Sequence, residues 1–363
     1  MHNNALTIAS HSHAAEPSTR TDLLGQSLGQ LEEAMQSLGE APYRGRQLYR
    51  WIYRRGATDF ESMTDLRLEL RSLLAGRFTI DIPQPESIQH SPDGTDKLLF
   101  RKNKDLWESV LMRDGRRRRT VCVSSQSGCA LGCVFCATAR MGLRRNLMVG
   151  EIVGQVMATA RLLPDDECVT NVVFMGMGEP LQNFKTVKAA LDILTHDEGL
   201  AISHNRVTVS TVGLVPAMRK WAQEKVRAKM AISLIAPNDP LRSELMPINR
   251  RYPLAQLRDA AIAVAESTKR RVTFEYVLMD GINDSIEHAQ QLVTFIHGIP
   301  CKINLIRFHP NPQSPYRRPP EERVLAFREY LYPRCPAVNI RKSFGVDIDA
   351  ACGQLAGRVR VAG

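Results

Sequence analysis

Six short runs rich in β-branched residues constrain the fold of this chain more than any other feature. They fall at residues 120–125, 172–175, 207–210, 230–234, 272–278 and 303–306. Most of the intervals between them, roughly 20 to 45 residues, leave room for a crossover helix. One such helix is visible in Val187, Ala190, Leu191 and Leu194, which keep helical spacing. Alternating strand and helix imply parallel strands, in an open sheet or a barrel. Six units are too few to close an eight-fold barrel. The expected fold class is therefore α/β, a partial (β/α)6 TIM-like barrel. Polar and glycine-rich residues cluster just after the runs, at 176–180, 211–213, 236–239 and 309–311. In this architecture the carboxyl ends of the strands are where active sites form.

The 363 residues make about two domains, and 44% hydrophobic residues suffice for a full core. Residues 1–22 read as a disordered tail, since they hold no apolar core of a signal peptide. Residues 23–112 read as a small α+β accessory domain. Its two expected helices carry Leu48, Trp51 and Ile52, then Leu66, Leu70, Leu73 and Leu74, the second capped by Thr64 and ended by Gly76. Asp93-Gly94 marks a turn before residues 98–100, for which 107–112 make a partner strand. Residues 113–363 form the barrel and a C-terminal segment. A formal net charge of +10 favours a polyanionic partner, nucleic acid before membrane. No apolar run approaches the roughly 20 residues of a membrane span. A cytoplasmic monomer is expected.

Eight cysteines occur, four of them within fifteen residues: Cys122, Cys129, Cys133 and Cys136. Such crowding in a reducing compartment points to metal or catalysis. The spacing Cys129-x3-Cys133-x2-Cys136, after the first barrel strand, suits three thiolate ligands of an iron–sulfur cubane, with one iron left for a small chelate. The competing reading is a zinc site with Cys122 as fourth ligand; against it, no second Cys or His pair accompanies the triad.

The triad after a strand resembles the radical S-adenosylmethionine (SAM) superfamily. Three longer runs resemble more narrowly the RlmN/Cfr family of RNA adenine methyltransferases: Cys122-Val-Ser-Ser-Gln-Ser-Gly-Cys129, Met175-Gly-Met-Gly-Glu-Pro180, and Asp347-Ile-Asp-Ala-Ala-Cys352-Gly-Gln-Leu-Ala-Gly357. The likeness covers about residues 40–357. It implies a radical SAM barrel with an RNA-binding-like N-terminal domain, a 4Fe-4S cluster on Cys129, Cys133 and Cys136, and two SAM molecules per turnover. One SAM methylates Cys352. A radical formed from the second activates that methyl group, which adds to C2 of an adenine. Cys122 then resolves the adduct, leaving a Cys122–Cys352 disulfide. Such radical chemistry suits a ring carbon that is a poor nucleophile and a poor acid. Without the resemblance, either cysteine would pass for a small buried hydrophobe.

By the same likeness, Glu108 is the proton acceptor, although alone it reads as a solvent-facing strand carboxylate. Gly178, Glu179, Ser210, Ser233, Leu234, Ile235 and His309 are SAM contacts, with Glu179 accepting from SAM's ammonium. The chain departs from the family at three positions. Ile235 stands where His is usual, His309 where Asn is usual, and Ala139 where Gly is usual, so one polar contact at 235 should be missing or supplied from elsewhere. Expected partners are ribosomal RNA, with tRNA as a further substrate, and a reductant protein such as a flavodoxin. The arginine run 116–119 is a candidate RNA contact, although charge runs usually just face solvent. Competing functions are methylation at adenine C8, as in the Cfr branch, a non-catalytic zinc-stabilised RNA-binding protein, and a glycyl-radical activase that would need neither Cys122 nor Cys352.

Overall fold

The structure, a computed structural model, describes residues 20–115, 117–310 and 314–356. Residues 1–19 of the expected tail lie outside the described residues, as do Arg116 and Gly357. The tail reading fails at its inner end. There β1 (Thr21–Asp22) pairs in parallel with β2 (Phe78–Thr79).

Between these strands lie α1 (Leu28–Ser37), α2 (Tyr43–Tyr49), which runs on into a π-helical turn at Arg50–Arg54, and α3 (Leu68–Arg77). Ser27 and Gln30 form a capping box on α1, satisfying donors that the first turn would otherwise leave bare. The second expected helix starts later than Thr64. Met63 and Leu66 are buried in the preceding turns, α3 begins after Arg67, and Gly76 lies inside it because β2 follows directly. Leu73, expected on the buried face, is exposed.

One ten-stranded sheet organises the remainder. Its antiparallel edge is β3 (Pro85–His90), β4 (Asp96–Lys102) and β5 (Asp105–Asp114), joined to β6 (Arg118–Cys122). From β6 the strands run parallel through β9 (Asn171–Phe174), β10 (Val207–Thr211), β11 (Lys229–Ser233), β12 (Val272–Leu278), β13 (Cys301–Arg307) and β14 (Val338–Ile340). These overlap all six expected runs, although residues 123–125, Met175 and Leu234 fall just past the strand ends, and they add a seventh strand, β14, too short to announce itself. The helices α5 (Val149–Ala160), α6 (Phe184–Thr195), α7 (Val215–Gln223), α9 (Leu254–Thr268), α10 (Ile286–Ile296) and α11 (Glu321–Leu331) are the crossovers. Val172, Val173 and Phe174 are all buried, as a strand covered on both faces requires. The sheet is an open, partial barrel, as expected. The 112/113 division falls inside β5, so hydrogen bonding runs unbroken from the N-terminal strands into the barrel. One core extends from Leu23 to Leu355. Among the described residues, no helix is long and apolar enough to cross a membrane.

Candidate active site

At the carboxyl ends of the parallel strands lies a cavity of about 1590 Å³, its open mouth included. The segment after β6 supports the residues that line it. Ser124 Oγ donates to Glu108 O (2.5 Å) and accepts from Met177 N (2.8 Å), and Gln126 Oε1 accepts from Glu179 N (2.8 Å). The residues of the first family-like run thus clamp the second. The short hairpin β7 (Gln126–Cys129) and β8 (Gly142–Asn146) then leads into the cysteine loop. Gly128 there has φ +76°, and a Cβ would lie 1.8 Å from Gly142 O, so no other residue fits.

Cys129, Cys133 and Cys136 all line the cavity. Burial pushes the Cys129 thiol up to about 11 and raises Cys133 as well; the nearby thiols add to both, while Arg242 opposes the rise at Cys133. Three soft donors from one loop beside a roomy cavity fit a multi-iron cluster.

Cys122 ends β6 and belongs to both the core and the cavity wall; burial raises its thiol to about 12, with Cys352 adding to the rise. Cys352 lines the same cavity from a C-terminal strap, residues 345–356, that crosses its mouth. The strap is tied down on several sides. Gly345 N donates to Asp93 Oδ2 (2.9 Å), Ala137 N and Thr138 Oγ1 donate to Gly353 O (2.8 Å) and Leu355 O (2.7 Å), and Gln354 Nε2 donates to Pro310 O (3.1 Å). The sequence kept Cys122 and Cys352 230 residues apart; the fold brings both to the cluster loop.

Two family profiles match the chain: the ribosomal RNA large subunit methyltransferase N-terminal domain over residues 21–80, and the radical SAM superfamily over 123–293. The dual-specificity RNA methyltransferase RlmN of an Anaeromyxobacter species is 48% identical over 347 residues, 94% of this chain and 92% of that protein. The RlmN protein of Geobacter sulfurreducens is 45% identical, over 94% of this chain and 93% of its own. A crystal structure of a radical SAM methyltransferase from Sphaerobacter thermophilus superposes with a TM-score of 0.88 at 45% identity, over 93% of this chain and 100% of that one. The chain belongs to the RlmN family of radical SAM RNA methyltransferases. Radical SAM enzymes use a 4Fe-4S cluster and SAM, and in this RlmN-family protein the cysteine loop is suited to hold that cluster.

The expected SAM contacts meet at the cavity with one exception. Gly178, Glu179, Ser210, Ser233, Ile235 and His309 line it. Leu234 does not: its side chain packs in the main core, and its carbonyl accepts from Arg242 Nε (3.0 Å) and Ala236 N (2.8 Å). Glu179 Oε1 and Oε2 accept from Leu181 N and Val212 N, both at 2.9 Å, and burial raises the carboxyl to about 7. The Thr211 side chain also hydrogen-bonds this carboxylate, and the two carboxylate oxygens together keep acceptor capacity for an ammonium. Ile235 has φ +66°, a strained conformation for a β-branched residue, and its carbonyl accepts from Asn283 Nδ2 (2.7 Å).

Glu108 is not the solvent-facing carboxylate that its strand position alone suggests. It is 1% exposed rather than solvent-facing, and it stands back from the cavity. Its Oε2 accepts from Ala356 N (3.0 Å), and Lys97 Nζ lies 3.6 Å from Oε1. Of the arginine run, Arg117 to Arg119 lead into and begin β6, the strand that ends at Cys122, and Arg119 is tied to Glu167. Sequence reasoning missed Arg341 and Glu275, both in the cavity wall, and the buried Arg242 behind it.

Proposed function

We propose that this protein methylates C2 of an adenine in 23S ribosomal RNA, and also in tRNA, using a methyl group carried on Cys352. The observation that best supports this is the meeting of Cys122, Cys352 and the three-cysteine loop at one cavity. When bound, the cluster and SAM supply the methyl group and the one-electron chemistry that an unactivated ring carbon demands. Cys129, Cys133 and Cys136 would hold the cluster, and Glu179 would receive the ammonium of SAM. Ser210, Ser233, the Ile235 backbone and His309 orient the nucleoside.

Cys352 accepts the methyl group as a thiolate, a form that the Arg341 guanidinium favours against desolvation. Glu108 takes the C2 proton once Ala356 releases its carboxylate, and Cys122 then resolves the protein–RNA adduct, leaving the Cys122–Cys352 disulfide. That disulfide and the cluster both call for a reductant protein such as a flavodoxin, in the cytoplasm. Acting on a ring edge requires an unstacked nucleotide, so loop or opened RNA is the substrate form.

Nucleosides from ribosomal RNA and tRNA, with and without the gene, should differ by 2-methyladenosine in mass spectrometry. Loss of 8-methyladenosine instead would refute the C2 assignment. Cys352→Ala should abolish transfer and keep the cluster's absorbance, while Cys122→Ala should accumulate a covalent protein–RNA adduct. Appreciable turnover by the first variant, or only free RNA with the second, would refute the roles given to them.

A further inference from the structure

The cavity wall carries a carboxylate that the scheme above leaves idle. Glu275, in β12, is 5% exposed and shares a rung with Ser233 of β11 and Asn304 of β13. Its Oε1 accepts from Asn304 Nδ2 at 2.9 Å, while its buried Oε2 has no hydrogen-bond partner. A buried carboxylate oxygen left bare costs folding free energy, and native structures keep few of them. The cavity that Glu275 lines is mostly apolar, Val110, Val173, Val277, Ile306 and Phe308 among its lining, which suits a flat ring. Arg341 acts electrostatically on Glu275 and on the thiols of Cys122 and Cys352, and Glu275 itself acts on Cys352. The bare oxygen therefore belongs to the neighbourhood of the methyl carrier.

An acceptor beside a slot for a ring selects a ring that brings an N–H to it. Adenine offers one such group, its exocyclic amine; its other polar edge atoms are acceptors. Only the N1 corner of the ring separates that amine-bearing carbon from C2. A base presenting C2 to Cys352 thus turns its amine to the adjoining wall.

Resting on the reading that Cys352 delivers a methyl group to adenine C2, we infer that Glu275 Oε2 accepts a hydrogen bond from the exocyclic amine of the target adenine, which makes Glu275 a specificity-determining residue. A ribose hydroxyl of SAM would satisfy the same acceptor chemistry, and the test separates the two sources. Asn304 gives the test its direction. In Glu275→Gln the side-chain carbonyl stays on Asn304 Nδ2, so the new NH2 group faces the cavity and meets the amine donor to donor.

An RNA that the wild type methylates is assembled with either adenosine or purine riboside, which lacks the amine, at the target position. Wild-type kcat/KM should favour adenosine by about tenfold or more, the scale of one hydrogen bond to a charged group. Glu275→Gln should lose that preference to within about twofold. Its SAM Kd by calorimetry, and its methylation of Cys352 by SAM alone, read by protein mass, should stay at wild-type values. The purine riboside arm needs no variant, and a wild type that treats both RNAs alike overturns the inference. So does a Glu275→Gln variant that binds SAM more weakly yet keeps its preference for adenosine, which would give the oxygen to the cofactor's ribose. A wild type that methylates no adenine in either RNA pool refutes the functional reading itself, and the role of Glu275 falls with it.

Discussion

His309 is a histidine kept neutral by its surroundings. It is 4% exposed, its Nε2 lies 2.6 Å from Ser343 Oγ, and burial with help from Arg318 and Arg307 pulls it down to about 4. In the unfolded chain it titrates near 6.5. A depressed native value means that its contribution is fully present above pH 6.5 and is lost as pH falls from 6.5 through about 4. The gap corresponds to roughly 3 kcal/mol. His309→Asn, which can still hydrogen-bond Ser343, should therefore lose less stability than the wild type over that interval in urea titrations. Equal losses would show that His309 is not the titrating group. The motif likeness singled out position 309 without disclosing its burial, because its hydrogen-bond partner Ser343 lies 34 residues further on.

Among elements, the carboxyl ends of β10 and β11 are held by one side chain that no motif announced. Arg242, 1% exposed, lies in α8 (Asp239–Leu245) and donates to Val212 O (2.7 Å), Ser233 O (3.2 Å), Leu234 O (3.0 Å) and Asn249 Oδ1 (2.8 Å). Burial drags its guanidinium down to about 10. Arg242→Met should cost roughly 3–5 kcal/mol, because it leaves these acceptors bare. A lower urea midpoint at unchanged slope, together with weaker SAM binding, is expected, and a variant as stable as the wild type would contradict this. The parallel strands were legible because burial on both faces makes them continuous apolar runs. β3 was not, being a half-exposed edge strand with sequence Pro-Glu-Ser-Ile-Gln-His. The late start of α3 was hidden too: Arg67 makes no side-chain cap, so the boundary is set by packing rather than by local chemistry.

Over the whole molecule, the N-terminal helices and the barrel share a single core. Gly150 and Gly154 of α5 bring Leu24 against the helix, and a Cβ at Gly150 would meet Leu24 O at 2.5 Å. Far-UV and near-UV signals should therefore disappear together in urea, as one transition; separate midpoints would show that the two parts unfold independently. Cys122, Cys129, Cys133, Cys136 and Cys352, which all line the cavity, could be singled out from motifs because those motifs have fixed local spacings. Glu275 and Arg341 could not, since their meaning depends on rungs formed between strands dozens of residues apart.

The strap has a consequence for anyone mapping inactivating lesions. Cys352 keeps its place partly through Asp93, which holds Gly345 from 252 residues away. Damage in that distant turn would leave the three-cysteine loop whole and still deprive Cys352 of its seat. A chart of lesions ordered along the chain would set the two positions far apart, and a chart ordered by phenotype would print them side by side.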